Sequence, residues 1–103
     1  MNILNSEVMY EIDDVLKNIE QNSAVNSIIF ISGKPGCFIA GADINMIRSF
    51  KTPEHGYKVA FEAQKIFEKI EKSKKPIVAA IQGSCLGGGL EVYNLLNLYI
   101  LFL

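Results

Sequence analysis

Apolar positions recur along this chain with two different spacings, and the change from one to the other marks out the elements. Val8, Ile12, Val15, Leu16 and Ile19 return every three or four residues, which puts them on one face of a helix. Asn5 or Ser6 can cap that helix, Glu7 stands near its positive end, and Gln21-Asn22-Ser23 closes it. Residues 27–32 then change the rhythm: Ile28, Ile29, Phe30 and Ile31 follow one another without a polar break. A short unbroken apolar run rich in β-branched residues reads as a strand covered on both faces, as in a parallel sheet. Residues 33–42 carry three glycines and Pro35 and read as a loop, with a short helical turn at 43–50. Pro53 suits the first turn of a second long helix reaching about Lys72. Ala60, Ala63, Phe67 and Ile70 share one of its faces, with Val59 and Ile66 beside them. Lys74-Lys75-Pro76 breaks it before a second buried strand, Ile77-Val78-Ala79-Ala80-Ile81, a glycine-rich loop at 83–89 and a final helix.

Strand, long helix, strand is a βαβ unit, so the class is α/β with two parallel strands and a right-handed crossover. Both glycine-rich loops leave the carboxyl ends of those strands, where ligands bind in open α/β sheets. With 103 residues, half of them apolar, the chain suffices for one core and is not disordered. A net charge of −1 gives no basic patch and makes nucleic acid an unsuitable partner. Cys37 and Cys85 stand apart without a CxxC or Cys/His cluster, so they read as two reduced thiols. The opening residues have neither signal-peptide nor transit-peptide character. The last twelve residues include ten apolar ones, too short a run to span a bilayer, so no transmembrane segment is expected.

The two loops carry the candidate chemistry. Gly83-x-x-x-Gly87-Gly88-Gly89 is not GxGxxG, and no GxxxxGK[ST] occurs, which argues against nucleotide phosphates. Consecutive glycines opening a helix let a ligand approach the backbone and aim free N–H groups at it. The first loop, Phe38-Ile39-Ala40-Gly41-Ala42-Asp43, has small residues that leave its amides accessible. Two such amides converging on one point would form an oxyanion hole. The same glycines equally serve tight turns and close helix–strand packing, and the residues alone leave both readings open. Glu91 lies one turn into a helix among Leu86, Leu90, Val92 and Leu95. Buried there, its carboxyl would be raised toward general acid–base range; facing solvent, it would only stabilise the helix start. Asp43 can equally be a helix cap, His55 reads as a surface residue, and the Lys and Glu residues from 62 to 75 read as a solvated face.

The segment from Ile31 through Ser32-Gly33-Lys34-Pro35-Gly36-Cys37-Phe38-Ile39-Ala40-Gly41-Ala42-Asp43 to Ile44 resembles the first oxyanion-loop motif of the crotonase (enoyl-CoA hydratase/isomerase) superfamily. Lys75-Pro76-Ile77-Val78-Ala79-Ala80-Ile81-Gln82-Gly83 through Gly87-Gly88-Gly89-Leu90-Glu91 resembles its second, in the right order and one helix apart. The wording is nearest to the hydratase domains of mitochondrial trifunctional α subunits. The resemblance implies a partial crotonase-type (ClpP/crotonase-like) spiral and hydration of a trans-2-enoyl-CoA in fatty-acid β-oxidation. It implies oxyanion amides at Ala42 and Gly88, a catalytic carboxylate at Glu91, and a coenzyme A pocket lined by Ala40, Gly41, Asp43, Ile44 and Gly87. No cofactor is implied beyond the coenzyme A of the substrate, and no metal. A mitochondrial location and an oligomeric parent with a thiolase-type β subunit belong to the same resemblance. An isomerase or hydrolase of the superfamily is an alternative, as is a non-catalytic fragment that binds acyl-CoA weakly.

The resemblance covers residues 2–92, giving a partial hydratase/isomerase domain over 1–92 and an atypical apolar tail over 93–103. Family members have strands before the segment matching Asn2 and, after Val92, a further strand and a loop with a second glutamate. Neither is matched here, so the chain reads as an incomplete piece, inactive by itself. Its tail, without a visible partner, is expected to remain exposed as an adhesive edge.

Overall fold

The computed structural model describes residues 1–96 and, for the backbone, 98–102. Helix α1 spans Ser6–Gln21, and Asn5 caps it: the Asn5 side-chain oxygen accepts from the Val8 amide at 2.9 Å. Val8, Met9, Ile12 and Leu16 turn inward, whereas Val15 is half exposed and lies off the packed face. Lys75 closes the other end, its ammonium donating to the carbonyls of Ile19 and Asn22 at 2.5 and 2.7 Å.

Strand β1, Ile28–Ile31, lies parallel to β3, Ile77–Gln82, with Ile28 opposite Ile77 and Ile31 opposite Ala80. The crossover between them contains α2, Ile44–Arg48, and α3, Pro53–Glu71. Asp43 caps α2 by accepting from the Asn45 amide at 2.9 Å, and Thr52 caps α3 by accepting from the His55 amide at 3.1 Å. Pro53 occupies the first turn of α3, where no donor is missed. The parallel βαβ unit is thus the one the hydrophobic pattern predicts.

Two strands lie where the sequence reads only as loop. Cys37–Ile39 is β2 and Ser84–Cys85 is β4, and they pair in parallel as a second, two-stranded sheet. Each is too short and too closely bracketed by glycines for a periodic signal, yet Cys37, Phe38 and Ile39 are all buried. The core is centred here. Phe38 and Val92 are each 1% exposed, and Phe30 meets Phe38 edge to face at 5.6 Å.

Two expectations change. β1 is covered on one face only: Ile28 and Phe30 pack on the core, while Ile29 and Ile31 are 68% and 64% exposed. Among the described residues no layer lies over that second face. The apolar ending is also not left unpartnered. Helix α4, Gly88–Leu95, is followed by β5, Leu98–Phe102, which pairs in parallel with β3, Val78 opposite Leu98 and Gln82 opposite Phe102. β3 therefore sits in the middle of a sheet ordered β1-β3-β5, its free edge supplying the ladder that the segment lacked in the sequence reading. Val92 and Leu96 are buried, so the chain is anchored on the core just before β5. The exposure expected of the side chains at 97–103 lies outside what is described.

Candidate active site

The second sheet brings the two glycine-rich loops together. The Ser84 amide donates to the Gly36 carbonyl at 3.1 Å and the Leu86 amide to that of Ile39 at 2.9 Å. Such close approach excludes side chains. Gly83 has φ +81°, and a Cβ there would lie 2.0 Å from the Gly36 carbonyl. A Cβ on Gly89 would lie 2.7 Å from the backbone oxygen of Ile39. These two glycines therefore serve packing. Gly88 does not: only the end of the Leu4 side chain, 2.6 Å from where its Cβ would be, and the distant ring of Phe67 come near.

Leu4 ties the two loops to the start of the chain. Its amide donates to the Gly41 carbonyl at 2.8 Å and its carbonyl accepts from the Asp43 amide at 2.9 Å, a parallel bridge that leaves Ala42 between them. The Leu4 backbone thus brackets Ala42 while its side chain meets Gly88. Gly88 is the first residue of α4, where an amide has no acceptor within the helix. Among the described residues, neither it nor the Ala42 amide donates to a backbone carbonyl.

Ala42, Gly88 and Glu91 line one cavity of about 300 Å³. Its walls are apolar, with Leu4 and Met9 on one side and Val59, Ala63, Ile66 and Phe67 of α3 on the other. The two residues whose amides are expected to hold an oxyanion and the one expected to supply a carboxylate therefore line the same space. Glu91 is exposed rather than buried, since α4 turns Gly89 and Val92 inward, and its apolar flanks Leu86 and Leu90 are 59% and 47% exposed. A carboxylate and two backbone amides lining one largely apolar pocket could exchange protons with a carbon acid if the amides held its carbonyl oxygen.

The other expected pocket residues do not line this cavity. Asp43 is the cap of α2, Ile44 is 64% exposed, and Ala40 donates its amide to the Asn2 carbonyl at 2.9 Å. Gly41 is buried against the second loop, and a Cβ on Gly87 would lie 3.4 Å from the Gly41 Cα. Cys37 and Cys85 are both free thiols outside the cavity, the Cys85 thiol raised above its usual range by burial. Among the described residues no cluster of His, Cys, Asp and Glu could hold a metal ion, and no helix is long and apolar enough to cross a membrane.

Three cavity residues were not legible as such. Leu4 precedes the first periodic stretch, Tyr10 lies outside the apolar face of α1, and Glu62 belongs to the residues that read as a solvated face. Yet the Tyr10 hydroxyl donates to Glu62 Oε2 at 3.0 Å, and both line the cavity. That bond, followed by the nearby negative charge, holds the Tyr10 phenol above its ordinary value.

The sequence profile of the enoyl-CoA hydratase/isomerase family matches residues 1–101, a span that includes most of β5. The chain is 45% identical over 92 residues to the fatty acid oxidation complex subunit alpha of Idiomarina loihiensis, covering 89% of this chain and 13% of that protein. Among solved structures, an enoyl-CoA hydratase from Thermoplasma volcanium superposes with a TM-score of 0.87 at 31% identity, covering 96% of this chain and 39% of that one. One from Geobacillus kaustophilus gives 0.90 at 27% identity, covering 96% and 37%. The chain thus spans a small part of the curated relative and under two-fifths of these structures.

Proposed function

Starting from the fact that the chain belongs to the enoyl-CoA hydratase/isomerase family, we propose that its cavity receives the acyl part of a coenzyme A thioester. The thioester oxygen lies between the Ala42 and Gly88 amides, and Glu91 serves as acid–base group at the carbons next to the carbonyl. One observation carries this reading: Ala42 of the first loop lines the same largely apolar cavity as Gly88 and Glu91 of α4, more than 40 residues later in the sequence. Hydrogen bonds from two preorganised amides favour the enolate over the thioester, which lowers the barrier to adding water across the adjacent double bond. In the complete protein the reaction is hydration of a trans-2-enoyl-CoA in fatty-acid oxidation, the process that the Idiomarina relative is named for.

By itself the chain is expected to bind without hydrating. Addition of water needs one carboxylate to take a proton from water and a proton source for carbon. The remaining cavity carboxylate, Glu62, is held by Tyr10 and belongs to α3 five residues before Phe67, the α3 residue that approaches Gly88. The coenzyme A contacts of Ala40, Gly41, Asp43, Ile44 and Gly87, an oligomer with a thiolase-type β subunit and a mitochondrial location rest on the resemblance of the two loops alone.

The test is crotonyl-CoA binding and turnover by the chain and by Glu91→Gln. Equal binding with background turnover in both supports the reading. Turnover by the chain that Glu91→Gln abolishes would show a second proton source within these residues, and absence of binding would overturn the reading. Conversion of a 3-enoyl-CoA without hydration would assign the isomerase branch, for which one acid–base group suffices.

A further inference from the structure

Two of the cavity's walls are α1 and α3, and a polar link joins them. The Tyr10 hydroxyl of α1 donates to Glu62 Oε2 of α3 at 3.0 Å, and both residues line the cavity. The second tie between these helices, Asp13 with Lys69 at 2.6 Å, involves residues outside the lining. Phe67 comes within 4.0 Å of a Cβ placed on Gly88, so it marks the oxyanion end. Glu62 is five residues earlier on the same helix, roughly 7–8 Å along its axis. Between the two the lining holds Ala63 and Ile66, with Met9 from α1, and Gln64 as the one polar residue of α3 in that stretch. An acyl chain leaving a carbonyl held at Ala42 and Gly88 therefore runs along largely apolar wall before it meets a phenol bonded to a carboxylate.

We propose that the Tyr10–Glu62 hydrogen bond is a crossbar that limits the length of acyl chain the cavity accepts. The inference rests on the acyl-CoA reading above and adds to it the residues that set chain-length preference. Methylenes short of the crossbar gain affinity by leaving water, about fourfold each. Those beyond it can be buried only if the Tyr10–Glu62 bond breaks and both side chains move aside, which sets the cost of the bond against the gain. Affinity therefore rises with chain length and then flattens. Neither side chain is sealed in: Tyr10 is 54% exposed and Glu62 is half-buried, so the crossbar can swing outward once the bond is lost.

The experiment titrates the full chain with butyryl-, octanoyl- and hexadecanoyl-CoA below their aggregation limits. The unmodified chain is compared with Tyr10→Phe, which keeps the ring and removes the bond, and with Glu62→Gln, which keeps an acceptor for the phenol. In the unmodified chain and in Glu62→Gln, octanoyl-CoA should bind at least tenfold more tightly than butyryl-CoA, and hexadecanoyl-CoA no better than octanoyl-CoA. In Tyr10→Phe the hexadecanoyl-to-octanoyl ratio should rise at least tenfold. An unchanged ratio in Tyr10→Phe, with acyl-CoA still bound, overturns the crossbar and leaves the acyl-CoA reading standing. Failure of the unmodified chain to bind any of the three overturns both.

Discussion

Adjacent glycines at the start of α4 should respond in opposite ways to one added methyl group. In Gly89→Ala the new Cβ would lie 2.7 Å from both the backbone oxygen and the Cβ of Ile39. Ile39 belongs to β2, is 5% exposed, and its carbonyl accepts from the Leu86 amide at 2.9 Å, so it cannot step aside without breaking that bond. Overpacking of this kind costs about 1–3 kcal/mol, and a backbone obstacle belongs at the upper end. Better helix propensity for Ala returns at most about 1 kcal/mol, less in a first turn. The net is a destabilisation of about 2 kcal/mol, or about 8–16 °C in the unfolding midpoint for a domain of this size. In Gly88→Ala the obstacle is the tip of Leu4, 2.6 Å away, which can rotate. Stability should change by less than about 0.5 kcal/mol, within the range of tolerated substitutions. The displaced Leu4 side chain would then enter the cavity between Ala42 and Gly88, and acyl-CoA affinity should fall tenfold or more. Urea unfolding and acyl-CoA titration of the two variants separate these effects. Equal stability of Gly89→Ala and the unmodified chain, or full affinity in Gly88→Ala, would refute the assignment of one glycine to packing and the other to the ligand.

Further outcomes follow from the same contacts. Lys69 first, and Lys17 with it, hold the Asp13 carboxyl below its ordinary value, so the folded chain takes up that proton less readily than the unfolded one. The stability this contributes is present above the unfolded pKa of about 4 and is lost as pH falls through the lower folded value. Asp13→Asn should therefore cost about 0.5–1 kcal/mol at pH 7, discounted for the exposed lysines, and much less near pH 2, as read by urea unfolding at both pH values. Ending the chain after residue 92 removes buried Leu96 and the strand beside β3. It should lower stability by at least the 2–5 kcal/mol of a large core truncation, and a shortened chain with unchanged urea midpoint would show that β5 contributes nothing.

What the sequence made legible depended on length of pattern. Both long helices, the β1–β3 pairing and the capping by Asn5 and Asp43 follow from periodicity and cap chemistry acting over consecutive residues. β2 and β4 were hidden because three and two residues are too few to show a period, and their pairing depends on contacts between residues more than 40 apart in sequence. β5 was hidden for a different reason: an apolar segment announces a need for cover without naming the edge that meets it. At the site, the loops carrying Ala42, Gly88 and Glu91 were recognisable by their residues. The roles of the glycines were not, because packing against Ile39 and openness toward Leu4 differ only in what lies across from each. For Glu91 the residues left burial and solvent exposure both open, and the structure takes the exposed one because α4 turns Leu86 and Leu90 away from the core with it.

The central claim is that two backbone amides in this cavity hold the oxygen of an acyl thioester. It is tested most directly by following the amide resonances of the ¹⁵N-labelled chain as octanoyl-CoA is added, with free coenzyme A as the comparison. Downfield shifts of the Ala42 and Gly88 amide protons that saturate with octanoyl-CoA, and are absent with free coenzyme A, are the predicted result. Saturable binding that leaves both resonances where they were would contradict it.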